Sequence, residues 1–142
     1  MNKERLLELA EHLEQVPHMD DLSHDGRGRE KTFFDMYNRL SKGAKIQFFN
    51  MRSYCFEDEC GTAGCIAGHA AALFTPKDYL EAASGGWSLS AKKALGLTGA
   101  QADALFYVPT EHGDAEDATP EDAANACRRL AAGVPLKKLW GH

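Results

Sequence analysis

A stretch without charged side chains constrains the fold of this chain more than any other feature. From Cys60 to Pro76 the sequence CGTAGCIAGHAAALFTP has no formal charge unless His69 is protonated. Its larger apolar residues recur at helical spacing and form one stripe: Ala63, Ile66, Ala67, Ala70, Leu73 and Phe74. A helix that is apolar or small all round is normally buried, and this one is too short to span a bilayer. We therefore predict a buried central helix over residues 62–74, with Thr62 as its N-cap.

Two glycines predict how this helix packs. Gly64 and Gly68 lie four residues apart, on the side of the helix opposite the apolar stripe. A glycine has no Cβ, so a helix face built from glycines lets another stretch of backbone come very close. We expect a neighbouring backbone segment to lie against this face.

Cysteines cluster at the start of the uncharged stretch. Cys55, Cys60, Cys65 and His69 form the pattern C-x4-C-x4-C-x3-H. Three thiolates and one imidazole suit tetrahedral zinc, so one hypothesis is a zinc-stabilised module that uses these four ligands. RNA-binding fingers of this kind surround their ligands with basic residues, whereas here the segment Glu57-Asp58-Glu59 would repel phosphate.

The same residues allow two other interpretations. In the first, Cys60 or Cys65 is the nucleophile of a thiol redox or transfer enzyme, with His69 as its base; the positive end of a helix dipole favours thiolate. In the second, the cysteines are small core residues and His69 donates a hydrogen bond to a nearby carbonyl. No catalytic residue is assigned under this structural interpretation.

The segment CGTAGCIAGHA resembles a motif, C-G-T-x-x-C-x-x-G-[H/W]-A, of small bacterial and phage proteins that carry no established activity. The resemblance extends over most of the chain from about Phe49 onward and includes three further segments: Leu95-Gly96-Leu97, residues 102–106 and Thr119-Pro120-Glu121. In those proteins Trp can replace the residue that matches His69, and nothing fixed matches Cys55. The resemblance thus favours a structural role for Cys60 and Cys65 over zinc.

The rest of the chain predicts further short helices. They cover the segment up to Val16, where Pro17 ends the helix, and residues 30–41, 76–83, 90–97, 98–107 and 119–133. Thr98 with Gln101 is predicted to form a capping box, and Thr119 to cap the helix that Pro120 opens. Residues 17–30 and 109–118 read as loops, and residues 46–54 as at most a minor extended segment. Trp87, Cys127, Leu139 and Trp140 are expected in the core. The fold class is therefore mainly α, with residues 1–142 forming a single compact multi-helix domain around the central helix.

One helix pair also resembles a helix-turn-helix. Leu95-Gly96-Leu97 stands where such motifs turn, and residues 98–106 form the second helix. That second helix offers Gln101 and Asp103 but no Arg or Lys, although base reading needs supporting phosphate contacts. A helix-turn-helix DNA binder is therefore kept only as an alternative.

Charge and composition limit the remaining functions. The net charge of the 142-residue chain is −5, which disfavours nucleic acid and anionic membranes as partners. The charged N-terminal segment is not an export signal, so we expect a cytoplasmic protein whose cysteines are thiols or metal ligands rather than disulfides. No P-loop, dinucleotide fingerprint or H-E-x-x-H motif is present. We therefore expect a small cytosolic, non-enzymatic protein-interaction module, of phage or mobile-element origin, that has an unidentified protein partner and no cofactor unless it binds zinc.

Overall fold

The computed structural model describes residues 1–19, 28–58, 61–74, 86–108 and 117–141, and these residues are mainly helical. Six α-helices lie in this part of the chain: α1 (Lys3–Glu14), α2 (Phe33–Ser41), α3 (Ile66–Phe74), α4 (Gly86–Leu95), α5 (Gly99–Phe106) and α6 (Pro120–Ala131). A 3-10 turn follows at Leu136–Lys138. Four short strands accompany them: β1 (Arg29–Glu30), β2 (Phe48–Phe49), β3 (Phe56–Asp58) and β4 (Gly61–Gly64). The mainly helical fold class is thus confirmed.

Short polar side chains cap the amphipathic helices, as the sequence predicts for two of them. The Thr98 hydroxyl accepts from the Gln101 amide at 3.1 Å, and the Gln101 side chain accepts from the Thr98 amide at 2.9 Å. Thr119 and Asp122 make the same reciprocal pair at the start of α6, where Pro120 needs no amide partner. Each pair satisfies backbone N–H groups that have no partner within the helix.

The prediction that extended structure is limited to residues 46–54 is wrong. The four strands form one mixed sheet in the order β1-β3-β4-β2, in which β2 and β4 are parallel and the other pairs antiparallel. Residues 46–54 supply only Phe48–Phe49, and Arg29–Glu30 of the predicted loop 17–30 form an edge strand. The helix predicted to begin at Glu30 begins at Phe33 instead, after Thr32 as its cap.

The central helix also begins later than predicted, because Thr62 lies in a strand. Thr62 pairs with Glu57 of β3, and its carbonyl accepts from the Gln47 amide at 3.0 Å on the other side. These bonds hold residues 61–64 extended, which suits a β-branched threonine between small residues. The N-cap assigned to Thr62 is therefore wrong, and the helix occupies Ile66–Phe74.

From Ile66 onward the helix is buried as predicted. Its residues Ile66, Ala67, Gly68, His69, Ala70, Ala71 and Phe74 are all buried. Helix α4 packs extensively against it and α1 contacts it, while α1 packs along α6. The Arg5 guanidinium of α1 lies 5.1 Å from the centre of the Phe74 ring and donates to the Ala94 carbonyl at 2.9 Å.

The predicted close backbone approach is confirmed at both glycines, although Gly64 lies in β4 and only Gly68 lies in the helix. A Cβ added to Gly68 would lie 1.8 Å from the Tyr54 carbonyl oxygen, and one added to Gly64 would lie 2.5 Å from it. Neither distance is compatible with any side chain larger than hydrogen. The two glycines therefore let the chain before β3 cross directly over the start of α3.

The remaining core predictions are confirmed where the structure describes the residues. Trp87, Cys127, Leu139 and Trp140 are buried, and the Trp87 indole donates to the Lys31 carbonyl at 2.8 Å. Gly96, at φ 65°, makes the left-handed turn between α4 and α5. The predicted helix 76–83 and most of the predicted loop 109–118 lie outside the described residues. None of the helices described is both long enough and apolar enough to cross a bilayer.

Candidate functional site

His69 lies at the centre of the buried helix and is held from both sides. Only 1% of its surface is exposed. Its Nε2 lies 2.8 Å from the Phe48 carbonyl oxygen, and its Nδ1 lies 3.1 Å from Nε2 of His12 on α1. The Phe49 ring stacks on the imidazole with its centre 6.3 Å away. The hydrogen bond to a nearby carbonyl that the structural interpretation expects is therefore present.

These contacts determine the protonation of both imidazoles. A carbonyl oxygen can only accept, so His69 carries its proton on Nε2 and leaves Nδ1 as an acceptor. His12 must then donate to it from its own Nε2–H. The resulting chain of hydrogen bonds, from His12 through His69 to Phe48, links α1, α3 and β2 while both imidazoles stay neutral.

Burial is the main reason that both imidazoles resist protonation. Burial and, to a smaller extent, the neighbouring His12 lower the pKa of His69 to about 3, although the hydrogen bond to the Phe48 carbonyl partly opposes the shift. Burial also lowers the pKa of His12, and the positive charge of Lys45 adds to that effect. His69 is therefore not a base near neutral pH, since its lone pair already accepts a hydrogen bond and its conjugate acid is disfavoured.

His12 is the residue of this group that sequence reasoning missed. It follows the buried Leu9 by three positions and precedes the buried Leu13, so it lies at the edge of the apolar stripe of α1. That position is the sequence signal that could have drawn attention to His12, because a polar residue at the edge of a buried stripe needs a hydrogen-bond partner.

Cys65, rather than Cys60 or Thr62, stands at the N-terminus of the central helix. Its carbonyl accepts from the His69 amide at 2.9 Å, and its amide donates to the Ser53 carbonyl at 2.8 Å. The side chain is 3% exposed. Burial raises the pKa of its thiol to about 11, although the amides of Gly68 and Ala67 donate to the sulfur and oppose the shift. Desolvation thus outweighs the helix dipole at this position.

Cys55 is equally enclosed. It is 1% exposed, and burial together with the Glu57 carboxylate raises the pKa of its thiol to about 12. Cys55, Cys65 and Cys127 are free thiols, while Cys60 lies outside the described residues. Within the described ranges no three His, Cys, Asp or Glu side chains gather as a metal site would require. Zinc at His69 would have to displace His12 or Phe48, so the arrangement present does not suit the four-ligand site, which stays a prediction.

The outer face of α1, which consists of Glu4, Leu7, Glu8 and Glu11, is the most distinctive surface described. These residues recur at i, i+3, i+4 and i+7 and are all exposed, with Leu7 exposed to 48%. A surface hollow of about 450 Å³ lies beside them, lined also by Asn2 and Arg5. Of these glutamates, Glu11 interacts electrostatically with Arg128 of α6 and helps to raise the pKa of that guanidinium.

The helix pair α4–α5 has the turn that the helix-turn-helix hypothesis requires. Gly96 takes the left-handed conformation between the two helices, and Thr98 caps the second. The exposed residues of α5 include Asp103 and no cation. DNA binding therefore stays a prediction that the charge of α5 does not favour.

Comparisons with models of protein families, with curated proteins and with solved structures give no match to this chain. The resemblance of CGTAGCIAGHA to small phage and bacterial proteins therefore stays a prediction, and function must be inferred from the chain's own residues.

Proposed function

We propose that this protein is a non-enzymatic protein-interaction module whose working surface includes the outer face of α1. The observation that supports the proposal is that the reactive side chains are buried, whereas the outer face of α1 is exposed. Cys55, Cys65 and His69 are buried in neutral forms, whereas α1 presents an exposed leucine among glutamates beside a hollow.

An enzyme with Cys65 as nucleophile needs a thiolate that a substrate can reach. Cys65 is only 3% exposed, which opposes access by a substrate, and burial raises the pKa of its thiol to about 11, which opposes formation of the thiolate. His69 lies one helical turn away, but its Nδ1 already accepts from His12. The buried group is better suited to fixing α3 against α1 and β2 than to reacting.

The setting we propose is a single domain in the cytoplasm. Free thiols at Cys55, Cys65 and Cys127 support a reducing compartment. A phage or mobile-element origin is supported only by the resemblance of the CGTAGCIAGHA segment, and a partner in the host would fit that setting.

Site-specific photo-crosslinking tests the proposed function. A photoreactive amino acid is placed at Leu7 on the outer face of α1, at Phe34, which is 82% exposed on α2, and at the exposed Lys93 on α4. Reproducible protein adducts from Leu7, with none from at least one of the other two positions, are the expected result in cells that express the chain; adducts from Phe34 or Lys93 alone would place the working surface away from α1. No adduct from any of the three positions would contradict an interaction module.

A further inference from the structure

We draw no further inference here: the strongest candidate, the surface patch around the Phe34 ring on α2, carries none, because this side chain is 82% exposed and nothing in the described part of the structure shows what covers it.

Discussion

Acidification should destabilise the protein through His69 well before its carboxylates are protonated. The pKa of His69 is about 3 in the folded protein and 6.5 without the fold. The unfolded chain therefore binds the additional proton first, and the contribution of His69 to stability is complete only above about pH 6.5 and declines as the pH falls toward 3. Protonation of His12, whose pKa is also lowered, acts in the same direction.

The magnitude follows from the two pKa values of His69. With 1.36 kcal/mol for each pH unit, the free energy of unfolding should fall by roughly 1 kcal/mol between pH 7.5 and 5.5, and by roughly 3 kcal/mol by pH 4.5. Losses of this size are a substantial part of the stability of a small domain.

Urea unfolding, followed by tryptophan fluorescence at pH 7.5, 6.5, 5.5 and 4.5, measures this loss, because Trp87 and Trp140 are both buried. His69→Gln keeps an amide that can donate to Phe48 but does not titrate, so its unfolding free energy should depend far less on pH. A wild-type free energy that is flat from pH 7.5 to 5.5, or an unchanged slope in His69→Gln, would refute the reasoning.

Three further predictions test the packing, the thiols and a cap. Gly68→Ala should lower the free energy of unfolding by at least about 3 kcal/mol or prevent folding, because its Cβ would lie 1.8 Å from a backbone oxygen. Gly99→Ala, whose Cβ would meet only the flexible end of Lys92 at 3.9 Å, should change the free energy of unfolding in urea by less than about 1 kcal/mol. In the native protein at pH 7.5, Cys55 and Cys65 should alkylate at least about 100-fold more slowly than after unfolding in urea, as judged by peptide mass mapping; comparable rates would show that the thiols are not enclosed. Thr119→Ala should lower the free energy of unfolding by about 1 kcal/mol through loss of its capping bond, and no loss would mean that the cap is dispensable.

Local signals predicted which segments are helical and where α5 and α6 begin, although α2, α3 and α4 begin at Phe33, Ile66 and Gly86 rather than at residues 30, 62 and 90. Capping residues and apolar periodicity act within a few positions of the chain, so Thr98 and Thr119 marked the starts of α5 and α6 correctly. The close backbone approach at Gly68 was also predictable, because a glycine in a buried helix has few other uses.

The sheet could not be predicted, because its strands are too short to carry a pattern. Arg29–Glu30 and Phe48–Phe49 have two residues each, and alternation needs at least four. The extended conformation of Thr62 depends on partners in both neighbouring strands, whereas in the sequence it follows a glycine and reads as a cap. Pairing between distant segments overrode the local preference.

The candidate site was predicted only in part, again because some of its contacts join segments that are distant in the chain. His69 and Cys65 were identified from their spacing on the central helix, and a carbonyl partner for His69 was anticipated. Its contact with His12, 57 positions away in the chain, could not be identified from a single sequence, because the edge of the α1 stripe indicates only that His12 needs some partner. The raised pKa of Cys65 likewise depends on burial by the whole fold, which outweighs the local effect of the helix N-terminus.

The protonation state of His69 tests most directly the central claim that, among the described residues, the buried thiols and imidazoles stabilise the interior of the protein and do not react. Nitrogen-15 NMR of the histidine side chains reports the tautomer and the pKa of each imidazole. We predict a proton on Nε2 of His69, a lone pair on Nδ1 and no titration between pH 8 and 5. A His69 that titrates near 6.5, carries its proton on Nδ1, or shifts as a metal ligand would when zinc is added, would contradict the account.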